Sequence, residues 1–126
     1  MKQQTLEELI PAAMDIVVHA GDARLYARNA LKAVQEQDFE KADAELKQAQ
    51  HEIELAHASQ TTIVQNEARG AEYEYSMLFN HAQDTLMTIN SEIELTRSLV
   101  DTFRVYSGMI SQLAAQTQTN QSEVCA

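Results

Sequence analysis

Apolar residues recur along this chain at alternating steps of three and four, the spacing that keeps them on one face of an α-helix. The first run is Ile10, Ala13, Val17, Ala20, Arg24, Ala27, Leu31 and Val34, inside a helix expected from about Thr5 to Gln35. Thr5 and Glu8 have the spacing of a capping box, whereas Pro11 falls late for a first turn and predicts a kink or a later start. Arg24 interrupts the stripe, and Gly21 sits mid-helix at a cost of about 1 kcal/mol relative to Ala. The second run is Phe39, Ala42, Leu46, Ala49, Ile53, Ala56, Gln60 and Ile63, with Asp38 as its N-cap and Gly70 as a left-handed end. The third runs from Phe79 through Ala82, Leu86, Ile89, Ile93, Thr96, Val100, Phe103, Ser107 and Ile110 to Ala114. Its helix is expected over about 71–115, with Gly108 as the place to bend or stop. The polar tail, 116–126, has no period and is expected to be disordered.

Short connections favour antiparallel neighbours, so residues 1–115 predict one all-α domain, an antiparallel three-helix bundle with shallow left-handed crossings. Alongside the main stripe of the third helix lies a second set: Met77, Leu78, Leu95, Leu99, Tyr106, Met109 and Leu113. One core accounts for one stripe. Two stripes on one helix predict a subunit interface, most simply a closed symmetric ring of copies.

Composition narrows the function classes. Few aromatics, three Gly and one Pro suit close-packed helices with an aliphatic, Ala-rich core. A net charge of −10, with nine basic residues scattered singly, excludes nucleic acid and anionic lipid as partners. No apolar run is long enough to enter a membrane, and the N-terminus lacks the pattern of a signal peptide. The only cysteine, Cys125, excludes an internal disulfide and fits a reducing compartment, so a cytoplasmic location is expected.

Candidate chemistry centres on "HAQDTLMT", residues 81–88. His81 lies at the flank of the third stripe, near Met77, Leu78, Thr85 and Thr88. One reading is a partly buried histidine hydrogen-bonded at a helix interface. Another is an imidazole at the edge of an apolar surface, open to a partner protein. Asp84, one turn away, is a solvated carboxylate, a group biasing the imidazole, or one of several carboxylates converging at a threefold axis. His19, His51 and His57 lack the paired spacing of a helical zinc site.

The same octapeptide resembles the "HAQDHLMT" signature of the IIA components of lactose/cellobiose-type (including diacetylchitobiose-type) sugar phosphotransferase systems. "HAGDAR" (19–24), "DFEKADAEL" (38–46) and "AHASQTTIVQ" (56–65) are similar to further motifs of that family. The resemblance implies a cytoplasmic homotrimer of three-helix subunits, hence a homotrimeric helical bundle. It further implies a phosphotransferase component, not a stand-alone enzyme. HPr, the histidine phosphocarrier, would pass a phosphoryl group to His81, which would pass it to a cysteine of IIB while IIC admits a β-linked disaccharide. Asp84 takes the place of the residue that holds a divalent cation, typically Mg²⁺, one per trimer. Thr85 departs from the pattern, since the family usually has a second histidine there. Thr85, Gln83 and Arg24 are candidates for support of the phosphoryl group, with an interhelical ion pair as the alternative for Arg24. The rival function is a paralogue that no longer transfers phosphate and acts as a trimeric helical interaction or regulatory module.

Overall fold

The protein's structure is a computed structural model that describes the backbone of residues 2–125 and the side chains of residues 6–125. Three α-helices follow one another: α1 (Lys2–Gln35), α2 (Phe39–Ala68) and α3 (Met77–Cys125). They run up, down and up, with α1 packed on both α2 and α3 and a lighter contact between α2 and α3. The expected all-α three-helix fold is what the chain adopts.

Both hairpin connections close with the same backbone device. At the end of α1 the N–H of Asp38 bonds the Ala33 carbonyl at 2.9 Å, and that of Gln37 bonds Val34 at 2.9 Å. At the end of α2 the N–H of Ala71 bonds Asn66 at 3.0 Å, and that of Gly70 bonds Glu67 at 3.0 Å. This paired pattern needs one left-handed residue, supplied by Gly70 at φ 106° and by Gln37 at φ 60°. Gly accepts that conformation freely, whereas a side chain makes it costly by roughly 1 kcal/mol or more. Gln37→Gly is therefore expected to stabilise the fold by about 1 kcal/mol and raise the melting temperature by roughly 4 °C. Thermal unfolding followed by circular dichroism checks this, and an unchanged or lowered midpoint would refute it.

Caps then restart the chain. Asp38 accepts the Lys41 N–H at 3.0 Å, as its position in the sequence predicts. Ser76 does the same for Phe79 at 3.1 Å, so α3 begins later than the expected residue 71. Between them, the Tyr73 hydroxyl donates to Glu8 at 3.1 Å and accepts from Asn66 at 3.2 Å, tying the α2–α3 connection to the start of α1.

The core is thin. Half of its buried apolar residues are alanines, and α1 supplies only Leu9 and Ile16 as large ones. Small side chains bring the axes close, and the space between them is filled mainly by Ile53, Leu86, Ile89, Ile93 and Val100. The α2 stripe is buried at Ala42, Leu46, Ala49, Ile53, Ala56 and Ile63, with Phe39 half-buried at its start and Gln60 half-buried one turn before Ile63. The α3 stripe is buried from Phe79 to Val100.

Several expectations need correction. The buried face of α1 runs through Leu9, Ala13, Ile16, Ala20, Ala23, Ala27, Ala30 and Ala33, and Ile10 is exposed. α1 starts at Lys2 with Pro11 inside it, so Thr5 is not its N-cap; the Thr5 side chain lies outside the described residues. Gly108 ends nothing, since α3 continues as helix to Cys125 and replaces the disordered tail expected from residue 116. No Pro follows Gly108, and a single Gly costs only about 1 kcal/mol, too little to stop a helix without a positive φ. Among the described residues, no helix is long and apolar enough to cross a membrane.

Candidate functional site

His81 stands in the second turn of α3, one position before the buried Ala82. That places its ring about 100° around the helix from the core-facing direction, on the surface. Within one chain the side chain is exposed, so the partly buried, hydrogen-bonded reading is not realised there. No hydrogen bond or ion pair within the described chain holds the imidazole. Exposed Met77 and Leu78 lie one turn before it.

Asp84 is exposed and likewise unpartnered; in particular, no ion pair joins it to His81. The idea that it orients the imidazole has no contact behind it. Asp84 shares the outward face of α3 with Met77 and Leu95, which are exposed at 75 % and 62 %. Among the described residues no three His, Cys, Asp or Glu side chains gather as a metal site. One chain therefore gathers fewer than three such side chains around Asp84, short of the six or so oxygen ligands a cation requires.

The three supporting candidates separate. Thr85 is half-buried beside His81, and its hydroxyl donates to the His81 carbonyl at 2.8 Å. Its one donor is thereby committed to the backbone. Gln83 points the other way, accepting from Gln60 of α2 at 3.0 Å, and so braces the bundle. Arg24 forms a two-pronged ion pair with Glu92, with both contacts at 2.9 Å. Hydrogen bonding to Glu92, partly offset by desolvation, holds the Arg24 guanidinium above its usual pKa, so it is charged at every working pH. Glu92 lies three turns beyond His81, about 16 Å along the axis. The ion-pair alternative is thus the one realised within this chain, and Arg24 does not meet His81 there.

The remaining histidines serve elsewhere. His19 is bonded through Nδ1 to Glu52 at 2.6 Å, clasping α1 to α2, while His51 is exposed and His57 half-buried. Sequence reasoning missed an apolar surface on α1, where Ile10, Met14, Val18 and Leu25 are all about half exposed. Its signal was present in the spacing of these residues, which recur along one outer face opposite the alanines.

Residues 11–104 match the family model described as PTS system, Lactose/Cellobiose specific IIA subunit. The chain is similar to the PTS system lactose-specific EIIA component of Lacticaseibacillus casei, with 40% identity over 100 residues, covering 79% of this chain and 89% of that protein. The Lactococcus lactis subsp. lactis protein of the same description is 39% identical over 98 residues, covering 78% and 93%. Among solved structures, PtcA from S. mutans superposes with a TM-score of 0.76 at 33% identity, over 78% of this chain and 96% of that one. The PTS cellobiose-specific enzyme IIA from Bacillus anthracis gives 0.75 at 31%, over 79% and 92%.

Proposed function

Because the chain belongs to the lactose/cellobiose-specific IIA family of the sugar phosphotransferase system, we propose that it relays a phosphoryl group on His81. The observation that carries this reading is the exposed, unpartnered imidazole between an apolar rim and the solvent. A neutral ring nitrogen is nucleophilic near pH 7. It attacks the phosphorus of phospho-HPr as the donor's phosphorus–nitrogen bond breaks. The ring then surrenders the phosphoryl group to the thiolate of a IIB cysteine, and the imidazole leaves in its neutral form. Little catalytic apparatus is needed, since such transfer depends mainly on alignment and charge stabilisation. Leu78, one turn before His81 and off the line of Met77 and Asp84, gives the ring an exposed apolar neighbour that excludes water when a partner docks.

The outward stripe of α3 supports assembly as a homotrimer, with the three Asp84 carboxylates meeting at the axis. Hard carboxylate oxygens fit a divalent cation such as Mg²⁺, which would offset their mutual repulsion. The sugar reached through IIB and IIC would be a β-linked disaccharide of the lactose or cellobiose type, and the location cytoplasmic. A direct test follows labelled phosphate from phosphoenolpyruvate through enzyme I and HPr to purified IIB. Label should reach IIB only when this chain is present; label reaching IIB equally without it would overturn the proposal.

Thr85 sets the rate in this reading. With its hydroxyl bound to the His81 carbonyl, it cannot donate to a phosphoryl oxygen at the same time. Thr85→His would add a charge-assisted donor, and transfer from phospho-HPr is expected to quicken by about 10-fold. Rapid-quench kinetics of the two proteins decides this. Equal rates would remove position 85 from the mechanism.

A further inference from the structure

The family match ends at residue 104, yet α3 runs on to Cys125. Phe103, Tyr106, Ser107, Ile110 and Ser111 still border the α1–α2 tip at Val34, Gln37 and Phe39. Beyond that tip the helix has no partner among the described residues. Every described residue from Gly108 onward is exposed, and the hydrogen bonds of Thr117 and Thr119 go to its own backbone.

This overhang is patterned. Leu99, Thr102, Tyr106, Met109, Leu113, Gln116 and Asn120 follow in steps of three and four, the spacing of a coiled-coil seam. Tyr106, Met109 and Leu113 are exposed at 56 %, 50 % and 61 %. The seam continues the outward stripe that holds Leu95 and Leu99. Rich in Gln, Thr and Asn, the overhang has little intrinsic reason to stay helical in water without lateral packing.

Charge says what covers it. In a chain of net charge −10, Glu123 is the only charged residue after Arg104. An acidic or basic partner would find nothing to pair with here, and two copies of the bundle repel each other elsewhere on their surfaces. Copies of the overhang can meet without that repulsion. The amides of Gln116 and Asn120 both donate and accept, so they are complementary to themselves across a parallel seam, and they fix its register.

We infer that residues 106–120 form a stalk in which copies of this chain pack in parallel through Tyr106, Met109, Leu113, Gln116 and Asn120. The number of strands rests on the trimer proposed above. The self-association does not. The stalk locks the assembly beyond the segment shared with the family.

The test uses the full chain, in native form, as the double variant Met109→Glu/Leu113→Glu and as Leu95→Glu, by sedimentation equilibrium across a wide concentration range. All the substituted residues are exposed in the single chain, so the bundle core is untouched. The stalk requires the double variant to dissociate at a concentration at least about 100-fold higher than the native chain, since two apolar side chains per strand are lost and charges opposed. A short bismaleimide should join Cys125 to Cys125 in the native chain and not in the double variant. Equal dissociation constants for those two proteins would overturn the stalk. If Leu95→Glu alone dissociates, the trimer stands and the stalk falls; a native chain that is monomeric throughout would remove both. A native oligomer without the Cys125 cross-link would refute the parallel arrangement.

Discussion

A His81→Ala variant is expected to fold as the native chain does and to take up no phosphoryl group. The ring contributes nothing to the described packing: it is exposed, and only its backbone carbonyl is used, by Thr85. Alanine is also the best helix former, so α3 loses nothing locally. The chemical loss, by contrast, is complete. His19 is engaged with Glu52, and His51 and His57 sit on α2, a different helix from His81. Circular dichroism should therefore give the native melting temperature within a degree or two, while intact mass after phosphorylation stays unmodified. A phosphorylated His81→Ala protein would place the acceptor elsewhere and dismantle the site as described.

The second large effect concerns the platform under that ring. Leu86→Ala should destabilise the protein by about 3 kcal/mol, within the 2–5 kcal/mol typical of buried Leu truncations. Leu86 is fully buried, one turn beyond Ala82 on the core face of α3. In a core that is half alanine by residue count, few neighbours have the bulk to collapse into the space left behind. Domains of this kind are stabilised by only about 5–15 kcal/mol in total, so the loss is a substantial share. Urea denaturation of both proteins gives the difference directly. A loss under about 1 kcal/mol would show that the core repacks more freely than its alanines suggest.

How much of this was legible in the sequence varied from helix to helix. α2 could be read almost residue for residue, because its only apolar periodicity is the one it buries. α1 could be read only in part: Ala13, Ala20 and Ala27 of the expected stripe are buried, but the helix carries two apolar faces, with Leu9, Ala13, Ile16 and Ala20 inside and Ile10, Met14, Val18 and Leu25 outside. Periodicity cannot decide between an alanine face and a bulkier one. The choice is made by the close approach of α2 and α3, which only the alanine face permits. The end of α3 was misjudged because Gly108 and a polar tail look like a stop. Nothing in the chain after Gly108 forces the helix to unwind.

For the site the division is similar. His81, Asp84 and Thr85 stand together in one octapeptide and could be read as a unit. Arg24 could not be resolved there, because its partner Glu92 lies 68 residues away and on a different helix. Gln83 looked like part of the site by adjacency, yet its position on the helix turns it toward Gln60. The hydroxyl of Thr85 presents the same lesson at shorter range: which group it serves depends on rotamer, and the rotamer here serves the backbone.

The relay requires His81 to accept a phosphoryl group. It is tested most directly by intact-mass measurement of the native chain after mixing with phosphoenolpyruvate, enzyme I and HPr, with fragment mapping of any modified residue. The expected result is the gain of one acid-labile phosphoryl group, located on His81. No gain, with the same enzyme I and HPr shown to phosphorylate another IIA protein, would contradict the relay and leave a helical interaction module in its place.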